Sequence, residues 1–144
     1  MPADENKAIA RRYIEGFWSQ GTVPAEELLT PDYVVHDPGT PGRTGGIEGE
    51  KQVARMYRGV FADLRFSVED VLAEGDRGVI RWTARGTHQG ELLGIAPTGK
   101  PVEIPGISVL RIAGGKIAEH WLNWDTLGLL QQLGAIPAPG QAET

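Results

Sequence analysis

Taking a proton from carbon calls for a carboxylate or imidazole sheltered from bulk water, beside apolar walls that hold the substrate. Residues 116–134, KIAEHWLNWDTLGLLQQLG, bring those types together. Strand alternation puts Glu119, Trp121, Asn123 and Asp125 on one face, with Ala118, His120, Leu122 and Trp124 on the other. The first face carries the more polar set and is expected to line a pocket. Asp125 stands where the strand gives way to a short helix. It is either a general base, its pKa raised beside the indoles, or the N-cap of that helix, a role aspartate favours. Glu119 either forms a carboxylate pair with it or holds an arginine. Trp121 offers a stacking surface for a flat ligand.

The other candidates come from loops and earlier strands. His88 sits in a glycine-rich stretch, residues 86–99, where the backbone can turn sharply round a ligand. It either donates to a substrate oxygen or relays a proton, or it bonds neighbouring backbone and fixes the loop. His36 precedes Asp37-Pro38, a turn signal, and belongs either to a pocket mouth or to the turn itself. Arg81 alternates with Val79 and Thr83; it either orients a carbonyl or forms an ion pair, with Glu119 one partner. Trp82 and Trp124 read as core or interface residues.

Metal and cofactor sites are not expected. His36, His88 and His120 lack any compact ligand spacing. The glycines at 86–99 join strands instead of opening a helix, so nucleotide binding has no support. The serines have no nucleophile-elbow context.

These groups need a scaffold. Apolar residues at helical spacing predict a helix over 5–20 capped by Asp4, a short one over 25–29, and another over 47–62. A brief strand is expected at 33–35. Alternation then predicts strands at 65–73, 78–85, 102–112 and 116–124, with turns at Gly75-Asp76 and Gly114-Gly115. A last helix over 126–133 is stopped by Gly134 and Pro137. Helices first and antiparallel strands after give an α+β domain, helices packed on one side of a curved sheet. A sheet longer than its covering helices leaves room for a small-molecule pocket at the uncovered end.

The chain of 144 residues is expected to form a single domain over 1–136, with a loose tail at 137–144. Apolar content of 40% and charged content of 23% are ordinary for a globular protein. A formal charge of −5 argues against a nucleic-acid or anionic-membrane binder. No cysteine is present, so neither disulfides nor thiolate metal ligands arise. The polar, acidic N-terminus lacks a signal-peptide pattern and no apolar run matches a membrane span; the cytoplasm is the expected location.

GTHQGELLGIAPTGK at 86–100, GGKIAEHW at 114–121 and WDTLGLLQQLG at 124–134, with HDP at 36–38, resemble the SnoaL-like polyketide cyclases (ester cyclases) of the nuclear-transport-factor-like superfamily. The resemblance implies a cone-shaped sheet with the N-terminal helices on its concave side, enclosing a pocket. It implies a cofactor-independent enzyme in which an aspartate, here Asp125, removes an acidic α-proton from a polyketide-like ester, and His88 assists. The enolate then closes a ring by aldol addition. His36, Arg81, Glu119 and Trp121 would bind a small hydrophobic substrate of aromatic or polyketide type. A homodimer through the outer face of the sheet, using Leu122 and Trp124, is also expected. Epoxide opening, isomerisation and binding without turnover remain as alternatives, because the superfamily supports all of them.

Overall fold

The N-terminal helix begins earlier than the spacing predicts and changes character midway. In the computed structural model, which describes residues 2–137 and 140, α1 runs over Pro2–Arg12 and passes into a π-helical segment, Tyr13–Ser19. Proline is well suited to a first helical turn, and Asp4, Glu5, Arg11 and Arg12 complement the helix dipole. The wider π turns change which side chains share a face. Tyr13, Ile14, Phe17 and Trp18 are all buried there, a broad aromatic face such as π segments often supply at functional sites.

After Ser19 come α2 (Ala25–Leu28), β1 (Leu29–His36), α3 (Gly46–Val60), β2 (Arg65–Glu74), β3 (Arg77–Thr87), β4 (Pro101–Ala113), β5 (Lys116–Trp124) and α4 (Thr126–Gln132). The strands form one curved, unclosed sheet in the order β1-β5-β4-β3-β2. The architecture is α+β, as the order of elements predicts. One pairing differs: β1 runs parallel to β5, while all the others are antiparallel. The chain crosses over from β1 through α3 and three strands before returning beside it, so a tight hairpin cannot set that pairing.

Both predicted hairpin turns form, with Gly75, Gly114 and Gly115 at positive φ. Register shifts between Val68 and Asp70 and between Arg111 and Ile112 mark bulges that bend their strands. Residues at 80, 82 and 84 of β3, and 102, 104, 108, 110 and 112 of β4, are buried and face the helices. Their partners across β5 are His120, Leu122 and Trp124, since Leu110 pairs with His120, Ser108 with Leu122 and Gly106 with Trp124. The concave face therefore carries the second set of β5 side chains. The tail expected at 137–144 lies, apart from Pro137 and Gly140, outside the described residues.

Candidate active site

Between the helices and the concave face lies a chamber lined mainly by apolar and aromatic side chains, among them Phe61, Phe66, Trp82, Ile104, Leu122 and Trp124. Gly106 shapes its floor. A Cβ there would lie 2.2 Å from the Trp82 ring, so only glycine lets the indole lie across β4. Trp82 donates its Nε1–H to Ser108 Oγ at 3.1 Å, satisfying both buried groups.

One end of the chamber is polar. Glu50 projects from the apolar stripe of α3 and is 1% exposed. Four donors converge on its carboxylate: Tyr13 Oη and Trp18 Nε1 (3.0 Å) on Oε2, and Tyr33 Oη (3.2 Å) and Arg43 Nη2 (2.6 Å) on Oε1. A carboxyl surrounded only by donors is the pattern of an ionised acceptor. Arg43 also donates from Nη1 to Asp37 Oδ2 at 2.9 Å, and Asp37 Oδ1 accepts from Trp124 Nε1 at 3.2 Å. Burial alone would lower the Arg43 pKa, but Glu50 and Asp37 more than offset it, and it is held above its ordinary value. Burial first, and then the Glu50 charge, raises Tyr13; burial, then Tyr13 and Glu50, raises Tyr33. Both phenols are neutral at working pH.

His120 stands against this cluster, with Nδ1 3.3 Å from Tyr13 Oη and 3.1 Å from Tyr33 Oη. Tyr13 meets the imidazole edge-on, ring centroids 5.5 Å apart. Burial, reinforced by Arg43, pushes the His120 pKa down to about 3, so the ring is uncharged near neutrality. Its Nε2 and the Nε–H of Arg43 have no hydrogen-bond partner among the described residues, and both side chains line the chamber. The arrangement combines a neutral imidazole with an unpartnered nitrogen, a fixed cation and apolar walls. That set can move a proton and receive developing negative charge.

None of the site residues expected from sequence lines this chamber. Asp125 is exposed and caps α4, accepting Gly128 N–H on Oδ1 at 2.8 Å. His88 is fully buried, but Nδ1 accepts Thr98 N–H (3.2 Å) and lies 3.0 Å from Thr98 Oγ1, tying the 88–100 loop together. His36, Glu119 and Trp121 do meet, on the convex face: His36 Nε2 lies 2.7 Å from Glu119 Oε2 and its ring stacks on Trp121. Glu119 also accepts from Arg111 at 3.3 Å, and hydrogen bonds from His36 and Arg111 hold its pKa low. Arg81 pairs with Asp70 at 2.7 Å and is exposed. The expectation that the Trp121 face lines the pocket is thus corrected. The opposite face does so, because the apolar faces of β3 and β4 and the aromatic helical face lie on that side. Leu122 and Trp124 cannot form an outer-face interface, since both line the chamber, and Trp82 does too.

Glu50, Tyr13, Tyr33 and Arg43 escaped the sequence reading. Glu50 left a signal nonetheless. It falls between Ile47 and Val53-Ala54 on the stripe that buries α3, and a carboxylate there requires buried donors. His120 shared a face with Leu122 and Trp124, and only the neighbouring strands reveal that this face is the inner one.

Among the described residues, no group of three or more His, Asp or Glu stands close enough to hold a metal ion, and no helix is long and apolar enough to cross a membrane. A family profile described as SnoaL-like polyketide cyclase matches residues 7–133. Aklanonic acid methyl ester cyclase AcmA of Streptomyces galilaeus is 29% identical over 135 residues, covering 90% of this chain and 91% of that protein. The crystal structure of IdmH from Streptomyces antibioticus superposes with a TM-score of 0.80 at 34% identity, covering 90% of this chain and 98% of that one. A protein of ketosteroid isomerase-like fold from Catenulispora acidiphila, 21% identical, gives a TM-score of 0.72 over 93% of this chain and 97% of that one, a likeness of fold alone.

Proposed function

The chain belongs to the SnoaL-like polyketide cyclase family, and on that premise we propose that it closes a ring in a polyketide-like ester by acid–base catalysis, with His120 as the base. The observation that carries this reading is a buried, neutral imidazole that lines an apolar chamber and whose Nε2 has no partner among the described residues. His120 Nε2 takes an α-proton from the substrate. The electron pair of that C–H bond becomes an enolate, whose charge the neighbouring Arg43 Nε–H receives. The enolate carbon then bonds to a carbonyl carbon of the same molecule. The carbonyl oxygen takes up the proton from the imidazolium, so the product is an isomer of the substrate. A base with so low a pKa demands an acidic proton, which points to a carbon flanked by two carbonyls. No step calls on a metal or a cofactor.

Aklanonic acid methyl ester, the compound in the name of the AcmA relative, is the first substrate to try. Exchange of the α-proton of simple β-keto esters for deuterium reads the first step without the ring closure. His120→Asn should lower either rate by about 10²- to 10⁴-fold, the usual worth of a general base, and Asp125→Asn should leave it near the wild-type value. The reverse pattern returns the base to Asp125 and ends this assignment.

The same reading includes a homodimer through the convex face of the sheet. Leu72, Ile107 and Val34 are 65%, 48% and 47% exposed, spread across that face from β2 through β4 to β1, and large apolar side chains left exposed on one sheet face favour a partner. Light scattering at micromolar concentration should give twice the chain mass. A monomer that Ile107→Glu leaves unchanged refutes the dimer.

A further inference from the structure

Each phenol at the polar end has a single hydrogen, and two acceptors compete for it. Tyr13 Oη contacts Glu50 Oε2 and lies 3.3 Å from His120 Nδ1. Tyr33 Oη lies 3.2 Å from Glu50 Oε1 and 3.1 Å from the same Nδ1. For Tyr33 the distances are nearly equal, so acceptor strength decides. A carboxylate accepts about twice as strongly as a neutral group, and Glu50 is buried, where an ionised acceptor's demand for donors is strongest. Both phenol hydrogens then point to Glu50. Only oxygen lone pairs are left facing His120, and lone pairs cannot satisfy a bare nitrogen. The Nδ1 must carry the ring proton, donating between the two tyrosine oxygens, which leaves Nε2 bare.

We propose that Glu50, Tyr13 and Tyr33 form a positioning set that fixes His120 as its Nδ1–H tautomer, so that the nitrogen without a protein partner is always the one able to accept a proton. This rests on the reading of His120 as the base and supplies what that reading needs. A neutral imidazole in the other tautomer would present an N–H at Nε2 and could abstract nothing. The set has a second effect. When Nε2 takes a proton, the imidazolium is joined through two phenols to the Glu50 charge, which supports the cation at the moment it forms. None of the three residues need touch the substrate to do this.

Long-range ¹H–¹⁵N correlation of ¹⁵N-histidine protein distinguishes a protonated ring nitrogen from a bare one. The chain has three histidines, and the signals missing from His120→Asn identify those of His120. Near neutral pH the wild type should show His120 with Nδ1 protonated and Nε2 bare. A ring protonated on Nε2, or on both nitrogens, overturns the proposal. Glu50→Gln should then release a phenol hydrogen toward Nδ1, since the glutamine amide can itself donate to a tyrosine oxygen, and most of the His120 population should become Nε2–H. An unmoved tautomer in folded Glu50→Gln removes Glu50 from the set. Should that variant fail to fold, the wild-type spectrum alone still decides the tautomer. Deuterium exchange of a β-keto ester separates the two readings. If the tautomer reverses in Glu50→Gln and exchange does not slow, His120 is not the base, although the positioning stands. If exchange needs His120 yet the wild-type ring is protonated on Nε2, the positioning fails and another route must bare the nitrogen.

Discussion

His120 should leave a mark on stability as well as on turnover. Its folded pKa lies near 3 against an ordinary 6.5, so the folded protein resists a proton that the unfolded chain accepts. Its contribution is therefore complete above pH 6.5 and declines as pH falls toward 3, with a slope of up to about 1.4 kcal/mol per pH unit. Glu119 and Glu26, whose pKa values are lowered from 4.5, add their own losses only below that value. Between pH 6.5 and 4.5 the imidazole is the principal shifted group. Denaturant midpoints measured across that interval should fall with acidification in the wild type, and His120→Asn should flatten the dependence. An equal slope in both proteins contradicts the buried neutral ring. Nothing in the sequence around His120 announced this. The residue stands between Glu119 and Trp121, both half-buried on the other face, and its environment is made by Tyr13, Tyr33 and Glu50, brought in from 107, 87 and 70 residues away.

The strands, turns and helix ends were legible because each depends on neighbouring residues. Alternation along β3, β4 and β5, the glycines of two hairpins, and the Asp125 cap all follow from local pattern. The face of β5 that lies inward did not follow from it, for both faces are mixed and burial is set by what packs above the sheet. The π-helical segment was hidden for a related reason. A seven-residue widening alters the stripe without altering composition. Asp125 illustrates how a local role can be read from neighbouring residues while a place in the chamber cannot. As the cap of α4 it accepts the Gly128 N–H, which asparagine can also do. Thermal melts should therefore show Asp125→Asn close to the wild type and Asp125→Ala weaker by about 1 kcal/mol. A marked loss in the asparagine variant would give the carboxylate charge a role beyond capping.

At the scale of the whole molecule, the chamber is small for what it is asked to hold. Its free volume of about 80 Å³ falls below the roughly 300–1,000 Å³ of ordinary ligand pockets, so a substrate of several rings requires the walls to part. The residues 37–45 connection is the natural place, since it carries no strand or helix and is held to the chamber wall by side chains, Arg43 on Glu50, Thr40 on Tyr57 and Asp37 on Trp124. Three of the four tryptophans, Trp18, Trp82 and Trp124, line that same chamber, while Trp121 lies on the convex face beneath Arg77. The protein thus contains its own optical probe. Filling the chamber changes the polarity around three indoles and leaves the fourth as it was, so the emission spectrum reports occupancy by any compound, reactive or inert, before its chemistry is known.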